Sequence, residues 1–217
     1  MKHTWSLALA GIVCLAAIPA RADVLYTTFG STSPGYTSPS GYTFTGSAGW
    51  DVAFTPSVTG TLESADFALM NTGAAGTYQF QVTANLLADS AGAPGAVIAS
   101  FDTSADLPAS TTMVLSLNST SNPVLSAGTP YWIQIAGVSP NTIDEANWEA
   151  TNGGSTSKID ETLLGLATPF GTDLPSPAFD IVGTTGPTGV PEPATWVFAG
   201  SGLAALALIR KRRLARR

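Results

Sequence analysis

From residue 24 to residue 183 the apolar positions recur with a period of two, in runs of four to eleven residues. Clusters of Gly, Pro, Ser and Asn interrupt them about every ten residues. No internal segment sustains a period of 3.6. Strict alternation places successive side chains on opposite faces of a strand, and regular turn signals mark an all-β domain. The pattern predicts ten strands. "VLYTTF" (24–29), "YTFT" (42–45), "WDVAFT" (50–55), "LESADFALM" (62–70) and "YQFQVTANLLA" (78–88) are the first five. "GAVIASFD" (95–102), "TMVLSL" (112–117), "YWIQIAGV" (131–138), "NWEAT" (147–151) and "AFDIVG" (178–183) are the rest. In the fourth, Leu62, Ala65, Phe67 and Leu69 suit an inward face, with one irregularity near Glu63–Ser64. One wet and one buried face per strand gives two packed antiparallel sheets, a single jelly-roll-like β-sandwich.

The two ends break this pattern. "MKHTWSLALAGIVCLAAIPARAD" has a basic start, a short apolar run from Trp5 to Ile18, and small residues Ala20 and Ala22 flanking Arg21. That order is a secretory signal peptide, with cleavage by signal peptidase expected after Ala22 and a mature chain starting at Asp23. Cys14 falls inside the discarded part. At the other end, Ala194 to Ile209 carries no charge. As a helix it spans roughly 24 Å, close to the hydrocarbon thickness of a bilayer. Arg210, Lys211, Arg212 and Arg213 follow as a basic stop-transfer cluster held in the cytoplasm. The expected organisation is a signal peptide (1–22), a β-sandwich (23–183), a linker (184–190) and a sorting tail with a transmembrane helix (191–217).

An anchor alone has no need of Val190-Pro191-Glu192-Pro193. Two prolines fix φ and remove N–H donors, so this segment is extended rather than helical. The triplet, the apolar run and the terminal basic cluster together resemble the PEP-CTERM sorting signal. The resemblance implies recognition and cutting near the triplet by an exosortase-like membrane transpeptidase. It further implies an exported protein of a Gram-negative bacterium, held transiently at the inner membrane and then delivered to the cell surface or released.

Removing both ends changes the charge. Residues 23–190 hold fourteen acidic side chains against one basic one, Lys158, a net charge of −13. No basic patch exists to neutralise phosphates, which argues against a nucleic-acid partner. The same stretch has no cysteine and no histidine. Disulfides, thiol nucleophiles, Ser-His-Asp chemistry and most zinc or iron sites are thereby excluded.

"LLADSAGAPGAVIASF" (86–101), "LSAGTPYWIQIAG" (125–137) and "FDIVGT" (179–184) resemble the choice-of-anchor R group of bacterial surface domains. That resemblance implies a β-sandwich and assigns no activity.

Three kinds of residue remain as candidate sites. Asp144, Glu145 and Glu149 lie close in sequence, as do Asp160 and Glu161. Hard cations take several carboxylate oxygens, yet no Asp-x-Asp-x-Asp-Gly spacing occurs. These clusters read first as solvated acidic loops; no cofactor is expected, and a structural calcium ion is a secondary expectation without a ligand set. A pair of carboxylates for glycoside hydrolysis is a lesser alternative. Flat aromatic rings stack on sugars, and Trp148, in a polar stretch, and Trp50, at a strand start, are the candidates for exposure. Trp132 or Tyr131 must face inward. The reading is an exported, non-catalytic surface or matrix protein associated with exopolysaccharide or biofilm. The alternative is a carbohydrate-binding module.

Overall fold

A computed structural model describes residues 22–46, 48–73, 80–104, 107–138, 145–163 and 166–186. Within them the alternation builds strands alone. In chain order these are β1 (Ala22–Thr27), β2 (Tyr36–Thr45), β3 (Ala48–Phe54), β4 (Gly60–Asn71), β5 (Val82–Asp89), β6 (Pro94–Ser100) and β7 (Thr112–Asn118). They continue as β8 (Val124–Leu125), β9 (Tyr131–Gly137), β10 (Glu145–Thr151), β11 (Thr156–Leu163), β12 (Leu166–Pro175) and β13 (Phe179–Thr184).

The strands form two antiparallel sheets. The first runs β1-β13-β4-β10-β2, with β7 and β8 also bonded to β4. The second runs β12-β11-β3-β9-β5-β6. Strand β4 is the spine of the first sheet. On one edge it pairs with β13 through Thr61–Phe67 and with β10 through Leu69–Asn71; β7 lies along the other edge. The expected irregularity in β4 is a bulge. Ser64 pairs with Val182 and Leu62 with Gly183, so Glu63 has no opposite number. The extra residue returns Leu62 and Ala65 to the same buried face.

Between the sheets lies one core. Leu62, Phe67, Leu69, Trp148 and Phe179 come from the first sheet, and Val52, Phe54, Leu86, Ile133 and Ile135 from the second. Phe54 and Phe179 meet across the gap with ring centroids 6.0 Å apart, and Tyr26 packs on both. Burial of a large apolar side chain contributes about 1.5–3 kcal/mol, so these alternating positions carry the fold.

All ten expected segments fall on strands, and three strands come in addition. Two of these are the hairpin β11–β12. Strand β12 contains Pro169, Gly171 and Pro175, which interrupt any alternation. It sits at the edge of its sheet, where a missing N–H costs no ladder bond. The expectation of a solvated loop around Asp160 is therefore corrected: "KIDE" lies inside β11. Two-residue β8 is too short to show a period.

Strand β1 begins at Ala22, which pairs with Thr184 of β13. The closing strand thus ends at Thr184, one residue into the expected linker. Among the described residues no helix is long and apolar enough to cross a membrane. Ala20, the PEP triplet, the apolar run and Arg210 to Arg213 lie outside the described residues.

Candidate functional site

The outward face of the second sheet carries the most ordered polar constellation. In β3, β9, β5 and β11 the core takes Val52, Ile133 and Ile135, Ala84 and Leu86, and Ile159. Alternation then sends Asp51, Gln134, Asn85 and Asp160 to the opposite face. The register places Ser100, Asn85, Gln134, Asp51 and Asp160 directly opposite one another across five neighbouring strands.

Four members of this row form a directed chain. Ser100 Oγ donates to Asn85 Oδ1 at 2.8 Å, and Asn85 Nδ2 donates to Gln134 Oε1 at 2.9 Å. Gln134 Nε2 then donates to Asp51 Oδ1 at 2.8 Å. The hydroxyl of Thr162 donates to Asp51 Oδ2. Every donor points toward Asp51, which has both carboxylate oxygens satisfied. Asp160 differs. It is 1 % exposed, and its Oδ1 is buried with no hydrogen-bond partner. Asp51 is 0 % exposed. Burial pushes both carboxyls above the usual aspartate range. The charge of Asp160 adds to the rise at Asp51, while Lys158 opposes the rise at Asp160.

Beside this row stands Trp132, also outward and fully buried. Its indole N–H donates to Asp89 Oδ1 at 2.9 Å, and Lys158 Nζ lies 5.3 Å from its ring centroid. Lys158 also donates to the carbonyl of Gly92. Tyr131 takes the inward position against Phe54.

A second acidic pair lies on the outward face of the first sheet. Asp180 of β13 is opposite Asp66 of β4. Both line an open cleft of about 420 Å³, together with Phe29, Gly30, Ser33 and Gly35. Burial raises the Asp180 carboxyl, and Asp66 adds to the rise.

The tryptophans expected as sugar platforms lie elsewhere. Trp148 is 0 % exposed. It packs edge-on against Phe67, 5.5 Å away, and donates its N–H to Ala178 O. Trp50 is 7 % exposed, donates to Thr43 O, and meets Tyr42 and Phe170 edge-on. Neither offers a free ring face. The polarity of "IDEANWEAT" misled here: in a strand, polar neighbours of Trp148 mark the opposite face rather than its own surroundings. Glu149, expected in a solvated loop, is also buried; its Oε2 accepts from Ser40 N at 2.9 Å, and its Oε1 has no partner. Asp144 lies outside the described residues, and Glu145 is exposed on β10. Among the described residues no group of three or more His, Cys, Asp or Glu side chains is placed to hold a metal.

Among the described residues the body presents these two carboxylate pairs, and the decisive signal is in the tail. Residues 189–213 match the PEP-CTERM protein-sorting motif. The motif covers Val190, Pro191, Glu192 and Pro193, the apolar run and Arg210 to Arg213. It implies export, membrane-associated sorting and processing by an exosortase-type membrane enzyme. No curated protein matches the chain.

Proposed function

We propose that this chain is a non-catalytic surface or extracellular-matrix protein, delivered as cargo by its PEP-CTERM tail and associated with exopolysaccharide or biofilm. Signal peptidase removes residues 1–22. The exosortase-like enzyme acts near Pro191-Glu192-Pro193 while residues 194–209 hold the chain in the inner membrane. The β-sandwich is then freed to the surface of a Gram-negative cell.

The observation that carries this reading is the position of the motif. It starts five residues after Thr184, the end of the closing strand. Cleavage there removes no described strand. Cleavage after Ala22 likewise leaves Asp23 to Thr27 paired with β13. Charge supports the same reading: a body of net −13 repels anionic polymers and leaves neutral sugars, cations and basic partners open.

The test is the intact mass of the protein from the cell surface and medium, for the wild type and Glu192→Ala. The expected wild-type chain starts at Asp23, ends near residues 190–193 and carries any attached group as extra mass. Glu192→Ala is exported but keeps its tail. Normal tail removal in that variant overturns the reading.

A further inference from the structure

We propose that Asp51 and Asp160 form a binding site for a hard divalent cation of the calcium class on the outward face of the second sheet. This site is independent of the sorting tail. Register sets the two side chains directly opposite each other on β3 and β11. Two carboxylates so placed repel, and removing both from water adds a desolvation cost. Lys158, the sole basic residue of the body, offsets this only in part: its charge opposes the rise at Asp160, but its ammonium is held by Gly92 O and the ring of Trp132 rather than by either carboxylate.

The oxygens themselves point to an ion. Asp160 is 1 % exposed, and its Oδ1 is buried without a donor. Asp51 accepts from Gln134 and Thr162, which fixes its carboxylate and favours the charged form. Each of its oxygens keeps a second lone pair. The Thr162 hydroxyl is a neutral oxygen beside the pair. Calcium takes six to eight such oxygens in flexible geometry and completes its shell with water. Magnesium demands a tighter octahedron and sheds water reluctantly, so calcium is the better match.

The experiment uses the full chain in detergent micelles, stripped with chelator and titrated with calcium chloride. Calorimetry and thermal unfolding are the two readouts. The expected result is one saturable calcium site and an unfolding temperature that rises with calcium. Asp160→Asn weakens binding by roughly tenfold or more. It still folds in chelator, at or above the wild-type unfolding temperature, because it removes a buried like-charge contact. Asp66→Asn leaves the binding unchanged. Two outcomes overturn the proposal. If calcium gives no saturable heat, and wild-type stability falls more steeply from pH 5 to 8 than that of Asp160→Asn, which keeps the raised carboxyls of Glu149 and Asp180, the pair shares a proton instead. If calcium binding survives Asp160→Asn but not Asp66→Asn, the ion sits in the cleft of the first sheet.

Discussion

The indole N–H of Trp132 reaches Asp89 Oδ1 at 2.9 Å, tying the turn after β5 to the middle strand of the second sheet. The same carboxylate accepts the Gly92 N–H at 3.0 Å through Oδ2. One side chain therefore shapes the Asp89–Pro94 turn and docks it. That gives a physical reason for "D-SAGAPG" and "PYW" to occur together in one chain: the turn needs an acceptor, and the tryptophan needs one too. Asp89→Ala strands a buried indole N–H, a cost of about 1–3 kcal/mol. A lower urea midpoint with an unchanged slope is the expected outcome.

Asp89 also sets an acid limit. The Trp132 bond, then the Gly92 N–H and the charge of Lys158, hold its carboxyl below the usual range, against a smaller opposing effect of desolvation. A depressed folded pKa contributes stability above the unfolded value, about 3.9, and that stability is lost as pH falls through the folded value. The stability gap between wild type and Asp89→Asn is therefore expected to be widest near pH 7. It closes in urea melts run at progressively lower pH below about 4.

Glu149 behaves in the opposite sense. Desolvation raises its carboxyl, and the Ser40 N–H and the Ser38 hydroxyl only partly offset this. A raised folded pKa stabilises below the unfolded value, about 4.3, and that contribution is lost as pH rises through the folded value. Glu149→Gln keeps an acceptor for Ser40 and cannot ionise. It is expected to gain on the order of 1 kcal/mol over wild type at pH 8 and little at pH 4. Thermal melts at the two pH values check the sign.

Gly183, in the closing strand, sits where the β4 bulge draws two backbones together. A Cβ there would stand 2.2 Å from Thr61 O and 2.8 Å from Leu25 Cδ1. Backbone cannot swing aside as a flexible side chain can. Gly183→Ala is expected to destabilise by about 2–3 kcal/mol. Protease resistance should fall first at the β1–β13 edge, since β13 joins β1 to the sheet.

Where burial alternated cleanly the chain was legible. Ile133 and Ile135 against Trp132 and Gln134 announce a strand, and so do Val52 and Phe54 against Asp51 and Ala53. Even the Glu63 bulge disturbs the period visibly. Two physical features hid the rest. An edge strand tolerates proline, so β12 looked like a loop and took its partner β11 with it. Alternation also tells which face a side chain takes but not whether that face is closed to water. Glu149 and Asp160 read as solvated for that reason, although both are buried. The Asp51–Asp160 pair depends on a register between segments 109 residues apart, which no local pattern contains.

Trp148 decides between a packing role and a sugar-stacking one. An exposed platform residue can be truncated with little loss of stability, and sugar retention alone falls. A core residue behaves in reverse. Trp148 is wedged between Phe67 and Phe179, each 5.5 Å from it, and its N–H is spent on Ala178 O. Trp148→Ala is expected to cost about 3–5 kcal/mol. Trp148→Phe keeps most of the packing, loses the bond to Ala178, and should fall between that variant and wild type. Acrylamide quenching of the native protein gives an independent reading. In a body of residues 23–190, without Trp5 and Trp196, Trp132 and Trp148 are sealed and Trp50 nearly so, so its fluorescence should resist quenching until the fold opens. A stable Trp148→Ala variant would place the ring outside the core.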